Sequence, residues 1–431
     1  MRVVVSVVKD LHVFPSIQKY LLQALTHKMR CKNLCDNLHR KKPVVGWLTD
    51  SSLRRRLSVF DLTSLGVGTV VGIGVYVVAG ELARDVAGPA IILSFILAFI
   101  SATLCMLAYA EFSSRISKAG SAYIYTYVTL GEIWAFIVGW NIVLEYIIAG
   151  ASLARACSEY IDTLFHGQVY RFFMQDVVTW NVPGIALFPD FLAGGLVIAA
   201  VILVCSGVRI STNVQKAVTV ANFLIILFMI IYGILIADLN QWTNRFAPYG
   251  FRGVLQGAAS CFFIFVGLDV ITTAAEETIY PSRNIPLSLL LSISISTLTL
   301  LGVSTVLIAI LPYHELDTFA PLATAFAKVG DFPVAQYIVA CGGISATISA
   351  LVCVVFSPSR LLYSMSLDGL FFGWFSHLSD TTYAPVRATI LVGCFAAVLA
   401  VIFDLHQLVS CFFEDFSLNA ACSCVCKFAR Y

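Results

Sequence analysis

The chain has 431 residues, of which 59% are hydrophobic and 12% charged, with a formal net charge of +2 and a mean hydropathy of +0.88. A water-soluble domain carries about 25% charged residues. With half of that, a water-facing surface of this size cannot be covered, so a soluble enzyme is excluded in favour of a chain whose outer surface meets lipid.

Residues 1–58 form the first unit in chain order. They hold twelve Lys and Arg, among them Arg54, Arg55 and Arg56, against three acids, Asp10, Asp36 and Asp50. Such a basic arm ahead of the first apolar run is expected to stay in the cytoplasm by the positive-inside rule. A nucleic-acid reading of Arg54–Arg56 is outweighed by this membrane-flanking one. The first 25 residues have no long apolar core ending in a small-residue cleavage site, so no signal peptide is expected.

A helix needs about 20 mainly apolar residues to cross a bilayer. Nine segments qualify, near 62–80, 90–110, 132–151, 187–206, 217–237, 253–273, 286–311, 334–356 and 386–403. A partial tenth begins near Leu408 and is soon interrupted by Glu414 and Asp415. The runs are continuous and lack alternation, which predicts helices rather than barrel strands. With the N-terminus inside, the even-numbered connections are expected to carry Arg115 and Lys118, Arg209 and Lys216, Arg283, and Arg360 and Arg387. Arg245 and Arg252 run against this bias on the outer side. The last stretch mixes acids with Cys422, Cys424 and Cys426 and reads as a divergent tail of an apparently truncated product. The expected organisation is therefore an arm over 1–58, a transmembrane core over 59–410 and a tail over 411–431.

Two spans carry residues that a simple membrane anchor does not need. The first contains Gly66, Gly68, Gly72 and Gly74 within nine residues, each costing a helix roughly 1 kcal/mol relative to Ala. Such a run serves either close helix packing by small residues or a break whose free amides and carbonyls bind a ligand at mid-membrane. The sixth contains Gly267-Leu268-Asp269 deep in an apolar run, a second candidate break. Spans one and six are five apart, the offset of a five-helix unit repeated in inverted topology. Glu145 in the third span is a candidate by its location alone, with a satisfied structural acid as the alternative. No Walker-type loop, H-E-x-x-H or G-x-S-x-G is present. The glycines of span one have the wrong spacing and no preceding strand for dinucleotide binding.

Together with these features, Leu65-Gly66-Val67-Gly68, Gly72-Ile73-Gly74-Val75-Tyr76-Val77, Ala87-Gly88-Pro89-Ala90, Tyr109-Ala110-Glu111-Phe112, Gly139-Trp140-Asn141, Thr272-Thr273-Ala274-Ala275-Glu276-Glu277 and Ser359-Arg360-Leu361-Leu362-Tyr363 resemble the cationic amino acid transporters of the amino acid–polyamine–organocation superfamily over roughly 60 to 410. The resemblance implies an all-α integral membrane protein with LeuT-like inverted five-helix repeats, here ending after about nine to ten spans. It implies facilitated transport of amino acids by alternating access, cationic ones favoured, with no enzymatic activity, cofactor, metal or nucleic-acid partner. Its substrate-binding positions are Val71, Gly72, Ile73 and Gly74 of span one, Glu145 and Tyr146 of span three, and Phe263, Ile264, Val266, Gly267 and Leu268 of span six. The chain departs from the family at Ile73, Leu268 and Val354, which are bulkier or differently shaped than usual. It also departs at Asn222, where some proton-coupled relatives carry a lysine. A transport-inactive sensor that keeps the fold, or a nonfunctional truncated product, are the alternatives. The resemblance places the protein in a membrane as a multi-pass chain, with the plasma membrane expected.

Overall fold

The computed structural model describes residues 41, 53, 55–165, 167–174, 186–237, 246–316, 321–329, 334–405 and 407–408. Almost all of the basic arm, the region around Glu414 and Asp415 and the cysteine tail lie outside them. Eleven helices of eight or more residues organise the described chain: α1 Val59–Ile73, α2 Ile91–Arg115, α3 Ala122–Thr129, α4 Glu132–Leu164, α5 Phe191–Cys205, α6 Val208–Ile236, α7 Gly250–Ile264, α8 Pro281–Ile310, α9 Pro321–Val329, α10 Val334–Leu367 and α11 Val386–Ile402. Nine of them correspond to the nine expected spans. The short α3 and α9 fall between spans two and three and between spans seven and eight, two connections that are themselves five spans apart.

The helices overrun the hydropathy spans at several ends. α4 continues to Leu164 and α10 to Leu367, and α6 begins at Val208. Arg209, Lys216 and Arg360, expected in connections, therefore sit inside helices. At α4 and α10 the overrun has a physical cause, since Arg155 and Arg360 are buried against other helices instead of lipid, whereas Arg209 at the start of α6 stays exposed. Arg155 on α4, 3% exposed, donates to the Ala400 and Val401 carbonyls at 2.6 and 3.1 Å and stands 3.7 Å from Asp190. Asp190 in turn caps α5 by accepting from the Ala193 amide at 2.9 Å. One buried guanidinium thus ties α4, α5 and the end of α11 together.

Helix α6 shows why the outer surface belongs in lipid. Val220, Phe223, Leu224, Leu227, Ile231, Ile234 and Leu235 recur at three- and four-residue spacing and are exposed. Asn222, Ile226, Met229 and Gly233 on the opposite face are buried. The outward face is thus more apolar than the inward one, the reverse of a helix on a soluble protein. At the centre, α4 packs along α10, and α1 lies against α8, α10 and α6.

One end of the bundle is held by a seam of charges. Ser58 and Asp61 form a capping box at the start of α1, and Lys216 of α6 reaches Asp61 at 2.7 Å. Lys118, after α2, stands 3.7 Å from Glu276. Arg360 of α10 donates through Nε and Nη2 to Glu277 at 3.3 and 3.2 Å, with both residues fully buried. Burial pushes the Glu277 carboxyl up from its ordinary range, and the guanidinium beside it pulls the other way. The start of span one, the end of two, the start of five and the ends of six and eight therefore share one side, as alternating crossings require. The arm joins the seam through its backbone: the Arg56 and Leu57 amides donate to the Glu277 carbonyl at 2.7 and 2.9 Å, and the Ile279 amide donates to the Leu57 carbonyl at 2.9 Å.

Removing one partner of a buried ion pair strands the other, at about 3–5 kcal/mol, whereas replacing both by apolar groups is close to neutral. Arg360→Leu is expected to lower the unfolding free energy in detergent by that amount, and adding Glu277→Leu should recover most of the loss. A single variant as stable as the parent in a denaturant titration would show that the pair does not hold this end.

Candidate functional site

The first and sixth spans both leave α geometry in mid-course. α1 passes at Gly74 into a π-helical turn, Gly74–Val78, and after Ala79–Leu82 into a second one, Ala83–Ala87. The expected break is thus a widened turn rather than an unwound segment. α7 ends at Ile264 and gives way to a 3-10 turn, Val266–Asp269, followed by one α turn, Val270–Thr273, and a 3-10 turn, Ala275–Glu277. Single π turns inside helices concentrate at functional sites, and each such change of winding displaces backbone groups from their regular partners.

The four glycines of span one divide between the two roles read from the sequence. A Cβ on Gly72 would stand 2.5 Å from the Ala346 carbonyl oxygen and 2.7 Å from the Ala350 Cβ, so Gly72 lets α1 lie directly on α10. Gly66 and Gly68 are closed off in the same way by Ile271 and Ser292 and by Gln215 and Ser349. Gly74, where the winding changes, instead faces span six: its Cβ would meet the Ile264 Cγ2 at 2.5 Å. Gly267 returns the contact, with Thr69 Cγ2 2.6 Å from its own Cβ position. The two departures therefore abut each other across the bundle.

The remaining candidates gather unevenly. Tyr146 of α4 is buried and donates its hydroxyl to Asp269 Oδ1. Asp269 forms no ion pair among the described residues, although it is only 6% exposed. Its main-chain carbonyl accepts from the Thr272 and Thr273 hydroxyls at 2.8 and 3.0 Å, and Thr273 meets Ser357 of α10 at 3.0 Å. Leu268 and Val71 are buried in the same core, and Glu145 is buried beside Tyr146 in sequence. The backbones of Ile73, Phe263 and Val266 lie at the two departures, while their side chains fall outside the description.

Sequence reasoning placed Asp269 in a suspected break but did not pair it with Tyr146. It also missed Tyr160 of α4, whose hydroxyl donates at 2.5 Å to the Tyr76 carbonyl inside the π turn. The signal was present: tyrosines at 146 and 160 are 14 residues apart, about four helical turns, which places both on one face of α4. Tyr76 in turn donates its hydroxyl to Asn222 Oδ1 at 2.7 Å, so the position expected to bear on coupling touches the first departure directly. Among the described residues no group of three or more His, Cys, Asp or Glu is gathered to hold a metal.

This architecture, apolar outside and with changes of winding within spans one and six, is that of a multi-pass α-helical membrane protein of LeuT-like fold. The solved structure of MhsT in complex with L-phenylalanine matches it with a TM-score of 0.59, covering 81% of this chain and 80% of that one at 14% identity. At that identity the likeness shows the fold. A family profile described as amino acid permease matches residues 57–428. Cationic amino acid transporter 4 of Homo sapiens is 44% identical over 379 residues, 87% of this chain and 60% of that protein. Cationic amino acid transporter 4, vacuolar, of Arabidopsis thaliana is 36% identical over 363 residues, 83% of this chain and 60% of that protein. The chain belongs to the amino acid permease family, and the curated relatives it resembles carry the name cationic amino acid transporter. It spans about 60% of the length of the curated relatives it matches.

The glycine contacts make a direct prediction. Gly72→Ala drives a methyl group into the Ala346 carbonyl and should cost about 1–3 kcal/mol, read as a lower melting temperature in detergent. Gly373→Ala, where a Cβ would meet nothing within 4 Å, should leave the melting temperature unchanged. Equal behaviour of the two variants would remove Gly72 from the α1–α10 interface.

Proposed function

We propose that the protein moves amino acids across a membrane by alternating access, without a chemical coupling step, and that it favours cationic substrates. The observation that carries this reading is the abutting pair of winding changes at Gly74–Ile264 and Thr69–Gly267, with the Asp269 carboxylate one turn away. Backbone groups displaced at such points suit the carboxylate and amino groups that every amino acid carries. A buried carboxylate whose described partner is a tyrosine hydroxyl rather than a cation suits an additional positive charge on the substrate. Val71, Gly74, Tyr146, Ile264, Gly267 and Leu268 would then surround the ligand, together with the positions 73, 263 and 266. Gly72 would support the wall from behind, through α10. Asn222 at the π turn, in place of a lysine, accords with facilitated diffusion rather than proton coupling.

The membrane of residence is proposed to be the plasma membrane, although a relative bears a vacuolar name. The basic arm is proposed to be cytoplasmic, in accord with the basic residues that accompany it at one end of the bundle. An N-terminal epitope should then be reached by antibody only after cells are permeabilised, and staining of intact cells would reverse the orientation. A second reading, a transport-inactive sensor that keeps the fold, is favoured by Leu268 in place of a gating aromatic and by the bulk of Val354, both buried within the core.

Thermal stabilisation of the purified protein across an amino acid panel tests the substrate reading. Arginine, lysine or ornithine at a hundred-fold excess over Kd should stabilise by about 2.7 kcal/mol, and Asp269→Asn should weaken that binding at least tenfold while leaving neutral ligands less affected. Stabilisation by neutral amino acids alone would overturn the cationic preference. A folded protein that no amino acid stabilises would favour the sensor reading.

A further inference from the structure

We propose that Ser58 is a phosphorylation site for a serine/threonine kinase that reads paired arginines, and that its modification unlatches the N-terminal arm from the end of span six. The segment reads Arg55-Arg56-Leu57-Ser58-Val59. Two guanidinium groups three and two residues ahead of a serine, with an apolar residue after it, present fixed cationic forks that carboxylates of a kinase cleft can engage bidentately. Arg55, Arg56 and Ser58 are exposed residues, whereas Leu57 is buried. The recognition residues and the acceptor residue therefore lie at the surface of the docked arm, while Leu57 between them is the one that holds the arm down.

The reaction is a phosphoryl transfer from a nucleoside triphosphate. The bond from the γ-phosphorus to its bridging oxygen breaks as a bond from Ser58 Oγ to phosphorus forms; the diphosphate leaves, and the hydroxyl proton passes to the kinase's base. The consequences follow from what Ser58 does now. Its hydroxyl donates to Asp61 Oδ2 at 2.7 Å, its amide donates to the same oxygen at 2.8 Å, and its Oγ accepts from the Asp61 amide at 3.4 Å. Esterification removes the proton that Asp61 accepts and sets a group of about −1.5 to −2 charge beside that carboxylate. The α1 N-terminus attracts phosphate, but the Asp61 side chain already occupies it, and Lys216 at 2.7 Å can neutralise only one of the two anions. Relief comes by moving Ser58, and Leu57 with it, away from Glu277 and Thr278. Little packing opposes the move on the outer side, because Arg56 there lines an open cleft with Gly207, Arg209, Thr382 and Glu277.

The inference rests on the cytoplasmic orientation proposed above, since kinase and nucleotide are found there. Detergent-solubilised protein exposes both faces, so failure in detergent falls on this inference alone. An N-terminal epitope on the cell exterior would sink the orientation and, with it, the inference. The experiment incubates the purified full chain with ATP and the catalytic subunit of a kinase selective for paired arginines, and locates phosphate by mass spectrometry. Phosphate is expected at Ser58, with an initial rate at least tenfold lower in Arg55→Ala, a variant that keeps the capping box. Absence of phosphate at Ser58, or an equal rate in Arg55→Ala, overturns the site. Hydrogen exchange of the Ile279 amide, which donates to Leu57, is expected to be at least tenfold faster in the phosphorylated protein. Unchanged exchange overturns the unlatching.

Discussion

The hydrocarbon interior of a bilayer supplies no hydrogen-bond partner to a peptide group, and the centre of this protein is organised around that constraint. A regular helix meets it without help. Where the winding changes, another part of the bundle must step in, and named side chains do so. Tyr160 reaches the Tyr76 carbonyl within the π turn, and Thr272 and Thr273 fold back onto the Asp269 carbonyl. Gly74 and Gly267 remove the side chains that would otherwise keep the two irregular segments apart. The changes of winding in spans one and six thus meet where the two segments abut, and side chains from the rest of the bundle take up backbone groups there.

A second set of interactions lies at the arm-bearing end and has a different character. Asp61–Lys216, Glu276–Lys118 and Glu277–Arg360 cross between helices that would have to separate for that end to open. The backbone bridge from Leu57 to Thr278 joins the same end, beside Glu277 in sequence. Side-chain ion pairs of this kind are discrete contacts that are either made or broken, which suits a two-state closure better than a continuous apolar seam would. Spans one and six also touch lower down, through Gly66 and Ile271. The arm bridge therefore extends a pairing that already runs from the irregular centre to the surface.

The spans were legible because lipid imposes a long, unbroken apolar run, and all nine runs became helices. Their ends were not, because hydropathy treats Arg155, Gln215 and Arg360 as signs of exit from the membrane, whereas each is buried by a partner far away in sequence. The positions of the departures in spans one and six were visible in Gly74 and in Gly267-Leu268-Asp269. Their form was not, since glycine marks a place where a helix can change winding without saying whether it unwinds, widens or tightens. Gly72 shows the same limit from the other side: no local pattern announces its close approach to Ala346 on α10. Asp269 and Tyr146 were both noticed in the sequence, but 123 residues separate them, and no local pattern announces such a pair.

Helix lengths carry a consequence for the surrounding lipid. At 1.5 Å per residue, α4 and α10, with 33 and 34 residues, run to about 50 Å, whereas α5 and α11, with 15 and 17, reach only about 22 and 26 Å. The two short helices pack side by side, so the shortfall against a hydrocarbon layer of about 30 Å is concentrated on one flank of the molecule instead of being averaged around it. A shortfall of this kind is met by local thinning of the bilayer, by flanking side chains reaching to the interface or by association with another chain, at a cost of fractions of a kcal/mol for each ångström. Acyl-chain length is therefore a variable to which the α5–α11 flank is the most sensitive part of the described bundle.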